Sequence, residues 1–149
     1  MSGYICVFDC ETVPDCDSLR AVYGYEGDDK SVAHIALTEQ KERTGSEFLP
    51  VCFHKVVTIS AVIADEFGRF KRVSTIAGDS EEKKIAEFIK FINEHNPRLV
   101  SYNGRGFDLP MLMIRAMRYN IDASEYFNTN DRANGKDKWC NYRSRYDGV

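Results

Sequence analysis

A chain of 149 residues with 43% hydrophobic and 29% charged residues has the size and make-up of one globular domain with a sizeable core. Its net charge of −3 excludes a globally basic nucleic-acid binder, so any phosphate contact must come from a local patch or from cations. No apolar run approaches the roughly 20 residues of a membrane span. Five cysteines without a C-x-x-C, and three histidines not spaced for zinc, suit reduced thiols and a cytoplasmic setting.

The first predicted element is a strand over Tyr4-Ile5-Cys6-Val7-Phe8-Asp9-Cys10-Glu11-Thr12. Its mostly apolar start reads as a strand buried on both faces. Side chains alternate along a strand, so Asp9 and Glu11 point the same way, about 6.6 Å apart. Two like charges at the mouth of a buried strand repel and resist desolvation, and a cation is the simplest remedy. Two Mg²⁺ ions roughly 3.5–4 Å apart would fit there and act on a phosphate. A solvated loop or a helix cap is the plainer reading of the same two residues.

Val13-Pro14 ends the strand. Residues 15–54 form a long insertion, which suits a lip on a substrate cleft as well as a plain surface excursion. Within it, Leu19, Val22 and Tyr23 anchor one helical turn, and Ser31 caps a helix that runs to about Arg43 and stops at Gly45. Lys55–Ala64 is the clearest strand, rich in β-branched residues and apolar on both faces in its second half. A turn over Asp65–Arg69 leads to a third strand over Phe70–Ile76.

A helix then starts at Asp79, with Glu82 completing a capping box, and carries Ile85, Phe88, Ile89 and Ile92 as an apolar stripe. Asn96-Pro97 ends it. A fourth short strand, Leu99–Tyr102, follows, and strand–helix–strand order predicts a right-handed crossover and a parallel pair. Next comes Ser101-Tyr102-Asn103-Gly104-Arg105-Gly106-Phe107-Asp108-Leu109-Pro110, leading into a helix. That helix is predicted to bury Leu109, Leu112, Met113, Ala116 and Met117, with Arg115 and Arg118 opposite. Asp108 falls near its N-cap, where the positive helix end lowers a carboxyl pKa. Residues 128–138 read as a mobile loop. Tyr142-Arg143-Ser144-Arg145-Tyr146 mixes cations with aromatics, which suits single-stranded nucleic acid or a plain polar surface.

The two acidic stretches together resemble the 3′–5′ exonucleases with four acidic metal ligands, built on the ribonuclease-H-like (DnaQ-like) fold. The likeness is nearest to stand-alone bacterial proteins related to the proofreading domain of family-B DNA polymerases. Asp9-Cys10-Glu11-Thr12 matches the family's D-x-E-T motif, and Asn103 to Asp108 matches its N-x-x-x-F-D motif. The resemblance implies an α/β fold with a mixed sheet of order 3-2-1-4, extended by a fifth strand. It also implies two Mg²⁺ or Mn²⁺ ions held by Asp9, Glu11 and Asp108, the catalytic residues of a two-metal phosphodiester hydrolysis. Thr12 would touch the terminal nucleotide near its 3′-hydroxyl. Asn103 and the Gly104–Gly106 turn would let backbone approach the strand, and Phe107 would pack beside a terminal base or into the core. The implied partner is nucleic acid, above all single-stranded 3′ ends.

One departure matters. The family's third motif, Y-x-x-x-D or H-x-x-x-D, is missing: no Tyr or His after Asp108 has an acidic residue four places on. The expectation is therefore a chain truncated after the fourth strand, binding metal weakly and slow or inactive as an enzyme. Its unpaired sheet edge invites self-association. A degenerate module that grips nucleic acid or a partner is the alternative. A phosphatase or receiver domain is a third, disfavoured because no lysine follows a later strand.

Overall fold

Alternation along the first strand sets the sheet. In the computed structural model, which describes residues 3–128, β1 (Tyr4–Pro14) buries Cys6, Phe8 and Cys10 and exposes Val7, Asp9 and Glu11. The strand is therefore covered on one face only, a correction to the two-sided burial expected from its apolar start. It also runs two residues further than expected, with Pro14 as its last residue. Among the described residues the chain forms two compact units, one comprising 3–11 and 57–128, the other Thr12–Val56.

β2 (His54–Asp65), which enters the first unit at Val57, and β3 (Phe70–Thr75) pair antiparallel from Ser60↔Thr75 to Ala64↔Phe70. The turn between them is held by the Asp65 side chain, which accepts from the Phe67 and Arg69 N–H groups at 3.0 and 2.9 Å. Gly68 takes the left-handed conformation there at φ 80°, which a Cβ would oppose. β2 alternates as β1 does, leaving Val57 and Val62 exposed, so its second half is not apolar-covered on both faces. β4 (Arg98–Val100) runs parallel to β1, with Ile5↔Arg98 and Val7↔Val100 in register, and the sheet order is β3-β2-β1-β4. This is the mixed α/β sheet that the sequence implied.

Helix α3 (Glu81–His95) precedes β4 and buries the expected stripe of Ile85, Phe88, Ile89 and Ile92. The Phe88 ring lies 5.1 Å from that of Phe8 on the covered side of β1. Its cap is Ser80, whose hydroxyl accepts from Lys83 N–H at 3.3 Å, and not Asp79, which instead pairs with the Lys83 ammonium. Helix α4 (Asp108–Arg118) departs further from expectation: Met117 is 72% exposed whereas Arg115 is 2% exposed. The reason lies on α3. Glu81 is buried in its first turn and takes the Arg115 fork, Nε to Oε1 at 2.8 Å and Nη2 to Oε2 at 2.5 Å. The Tyr119 hydroxyl donates to the same Oε2 at 2.5 Å. A buried guanidinium is tolerated only with such partners, and a complete fork turns this side of α4 inward. A short helix α5 (Ser124–Phe127) follows. No helix among the described residues is long and apolar enough to cross a membrane.

The second unit is built on two capped helices. Asp15 starts α1 (Cys16–Tyr23), accepting from Ser18 N–H at 3.3 Å and from its hydroxyl at 2.6 Å. This is two turns of helix where one was expected. α2 (Asp29–Thr44) is capped by Asp28, which accepts from Ser31 N–H at 2.8 Å, so the predicted cap, Ser31, lies inside the first turn. A carboxylate competes well for an N-cap, and three residues separate it from Ser31 as capping geometry requires. Gly45 ends α2 at φ 80°, as predicted. Leu19, Val32, Ala36, Leu49 and Phe53 form the core beneath. The loop expected over 128–138, apart from Asn128, and the Tyr142–Tyr146 cluster lie outside the described residues.

Two outcomes follow from these contacts. Arg115→Met strands the buried Glu81 carboxylate and is expected to destabilise by about 3–5 kcal/mol, most of it regained in the double variant with Glu81→Leu. Urea denaturation of both checks this. His54 is buried, which depresses its pKa below 6.5 and outweighs its hydrogen bond to Leu49. The unfolded chain then takes up that proton first, so stability is fully present above pH 6.5 and falls as the pH drops toward the folded-state value. Thermal midpoints across this range should flatten in His54→Asn.

Candidate active site at the tip of the first strand

The β1–β4 ladder stops at Val7↔Val100, but β1 continues. The chain turns over residues 101–107 and re-enters as α4, whose first residue is Asp108. The Asp108 carboxyl lies beside Cys10 and Asp9, near enough for the Cys10 N–H and thiol and the Asp9 charge to bear on its pKa. The helix start thus sits against the strand beyond the end of the ladder.

The turn explains its own sequence. Asn103 sits in the left-handed region at φ 52°, and its carbonyl accepts from Gly106 and Phe107 N–H at 2.9 and 3.1 Å. The Gly104 carbonyl accepts from Leu109 N–H at 2.8 Å. A Cβ on Gly104 would lie 1.6 Å from Ser101 Oγ, and one on Gly106 would lie 2.5 Å from Asn103 Oδ1. A Cβ at either position would meet the Ser101 or Asn103 side chain and force it to move, so small residues suit the packing within the turn. Asn103 is exposed, Gly104 buried and Phe107 half-buried.

Asp108 is 4% exposed, whereas Asp9 and Glu11 are exposed on the open face of β1. Desolvation therefore falls on Asp108. Burial, and then the charge of Asp9, push the Asp108 carboxyl above the ordinary carboxylate range, and its hydrogen bonds pull only partly the other way. The helix end does not win, contrary to expectation. Burial, followed by Asp108 and Asp9, pushes the Cys10 thiol far up, which makes it a poor nucleophile. Burial likewise raises Cys6 to about 11.

Asp9 and Asp108 thus lie within electrostatic reach of each other, and Glu11 follows two residues along the same open face. The three do not form a ready cage: among the described residues no group of three His, Cys, Asp or Glu side chains is gathered closely enough to hold a metal ion. Thr12 opens the other unit, its hydroxyl 3.0 Å from His54 Nδ1. Sequence reasoning missed Cys10, Ser101, Arg115 and His54. Arg115 had a signal, since seven residues from Asp108 puts both on one helix face. Thr12 and His54 are 42 residues apart, and no local pattern links them.

Residues 46–149 match a family described as a predicted 3′–5′ exonuclease related to the exonuclease domain of PolB. The chain belongs to this family. The matched segment contains the Asn103–Asp108 motif, whereas Asp9, Glu11 and both helices of the second unit precede it. The chain is also 33% identical over 63 residues to DNA polymerase 1 of Sulfolobus acidocaldarius, a stretch covering 42% of this chain and 7% of that protein. The solved family B DNA polymerase of the hyperthermophilic archaeon Pyrobaculum calidifontis aligns over 89% of this chain and 12% of its own, at 22% identity and a TM-score of 0.43. The chain therefore spans only a small part of the relatives it matches.

A raised folded-state pKa means that Asp108 opposes folding at neutral pH and ceases to do so once protonated. Below the unfolded value near 3.8 both states carry the proton. Asp108→Asn should therefore raise the thermal midpoint at neutral pH in the presence of a chelator. The gain should shrink as the pH falls and close below about 3.8.

Proposed function

We propose that this chain is a divalent-metal-dependent 3′–5′ exonuclease acting on nucleic acid, with single-stranded DNA ends as substrate. The observation that carries the reading is the pairing of exposed Asp9 with buried Asp108 at the tip of β1, in a member of a family of predicted exonucleases. A cation beside Asp108 would offset the burial and like charge that disfavour its anion, and carboxylate oxygens suit Mg²⁺ or Mn²⁺. Asp9 and Asp108 would hold it, and Glu11 would join from the same face of β1. Bound there, the metal supplies a deprotonated water and neutralises charge on the leaving oxygen.

The chain's own residues do the positioning. The Cys10 N–H and thiol lie beside the Asp108 carboxyl and would orient it, and the Glu81–Arg115 pair anchors the helix that carries it. Thr12 would touch the terminal nucleotide near its 3′-hydroxyl, Asn103 and its turn would let backbone approach the strand, and half-buried Phe107 would pack beside the last base. Gly104 would serve by keeping the turn tight.

A second reading is favoured by one observation: no three ligands are gathered among the described residues. It is a module that grips nucleic acid or a partner without cutting. Calorimetry with Mn²⁺ and trimming of a 5′-labelled oligodeoxynucleotide separate the two. The exonuclease reading expects saturable Mn²⁺ binding and slow shortening from the 3′ end. Both should fall in Asp9→Ala and Asp108→Ala by at least the roughly 10–100-fold known for perturbed metal sites. Oligonucleotide binding without Mn²⁺ heat or shortening would decide for the module.

A further inference from the structure

The second unit holds a cavity of about 220 Å³ between α1, α2 and the chain leading into β2, and its lining lies wholly within Thr12–Val56. Leu19, Ala36, Leu49 and Phe53, all in that unit's core, give it an apolar floor. Tyr23 and Tyr25 add rings stacked on each other at 5.4 Å, and Tyr23 also meets Phe53 at 5.4 Å. Pockets for drug-sized molecules begin at roughly 300 Å³, whereas an apolar cavity of about 150 Å³ takes a single benzene ring. The volume here therefore suits one or two fused rings, and aromatic walls favour a flat guest through offset or edge-on contact.

The polar groups of the lining are mostly spent on one another. The Tyr25 hydroxyl donates to Glu39, the Gln40 amide nitrogen donates to the Phe48 carbonyl at 2.9 Å, and Arg43 donates to the Gln40 amide oxygen. Arg43 is exposed, and a guanidinium that makes this one bond among the described residues keeps donors to spare. It is the one cation in the lining, which has one anion, Glu39, already accepting from Tyr25. A planar donor fork beside an apolar slot matches a carboxylate or a phosphate.

We propose that this cavity binds a small planar anion, its ring or fused ring pair seated among Leu19, Ala36, Leu49 and Phe53 and its carboxylate or phosphate on Arg43. The proposal stands apart from the exonuclease reading. Two sources share this chemistry, an aromatic carboxylate and a nucleoside monophosphate. Glu39 is the like charge that limits the affinity of either.

The test is titration of the ¹⁵N-labelled full chain, followed in its amide spectrum, with a chelator present to remove divalent ions. The probes are indole-3-acetate and thymidine 5′-monophosphate, each beside its neutral counterpart, indole-3-acetamide and thymidine. At least one anion should shift the amides of Tyr23, Tyr25, Gln40 and Leu49 saturably. Its neutral counterpart should bind about tenfold more weakly, the scale of a hydrogen bond to a charged group. The tighter of the two anions names the source. Arg43→Met should bring the anion and its neutral counterpart to equal affinity, Glu39→Gln should tighten the anion, and Ala36→Leu, which fills the cavity, should abolish binding. No saturable shift with either anion, a neutral counterpart bound as tightly, or a preference kept in Arg43→Met overturns the proposal. Shifts that vanish in Asp9→Ala overturn it as well, because they place the guest at the acids of β1. Should Arg43→Met fail to fold once Gln40 loses its partner, Glu39→Gln decides, and an anion affinity unchanged there overturns the proposal.

Discussion

The placement of the Asp108 carboxyl beside Cys10 and Asp9 is the feature on which the candidate site depends. β4 is three residues long and leaves β1 to continue past the end of its ladder. A carboxyl on the first turn of α4 sits beside the strand there, and the tight turn of residues 101–107 delivers it. The glycines at 104 and 106 suit that turn, because a Cβ there would meet the Ser101 or Asn103 side chain and force it to move. Backbone geometry, more than side-chain reach, brings the two motifs together.

That contact is held under opposing forces. Asp108 is buried beside another acid, and both facts disfavour its charge. Two turns further along the same helix, Arg115 and Glu81 form a complete buried fork, closed by the Tyr119 hydroxyl. Such a pair adds little net stability over an apolar replacement, but it admits few alternative alignments of α3 against α4. An acid buried against its own charge is a common pattern where function is maintained at some loss of stability.

The segment between the first two strands follows a different logic. Its helices begin on Asp15 and Asp28 and end on Gly24 and Gly45, so local capping alone specifies their limits. Both helices precede the segment that matches the exonuclease family. Yet the same unit contains Thr12, the last residue of the D-x-E-T motif, and sets its hydroxyl against a buried histidine. The lobe thereby bears on the reading of the motif even where the family match is silent.

Periodic and punctuating residues made much of this legible in advance. The β2–β3 hairpin with Gly68 in its turn, the stripe on α3, the stop at Gly45 and the parallel return to β1 all follow from spacing along the chain. What spacing leaves open is which face of an element meets protein and which meets water. Asp9 and Glu11 alternate with Phe8 and Cys10 by necessity of strand geometry, but only the packing of α3 and α4 decided that the acids would lie on the open side. The same packing put Arg115 inside and Met117 outside, because the partner that makes a buried guanidinium tolerable sits 34 residues earlier. Local period is written in the sequence; coverage depends on residues far along the chain, and only the folded structure reveals it.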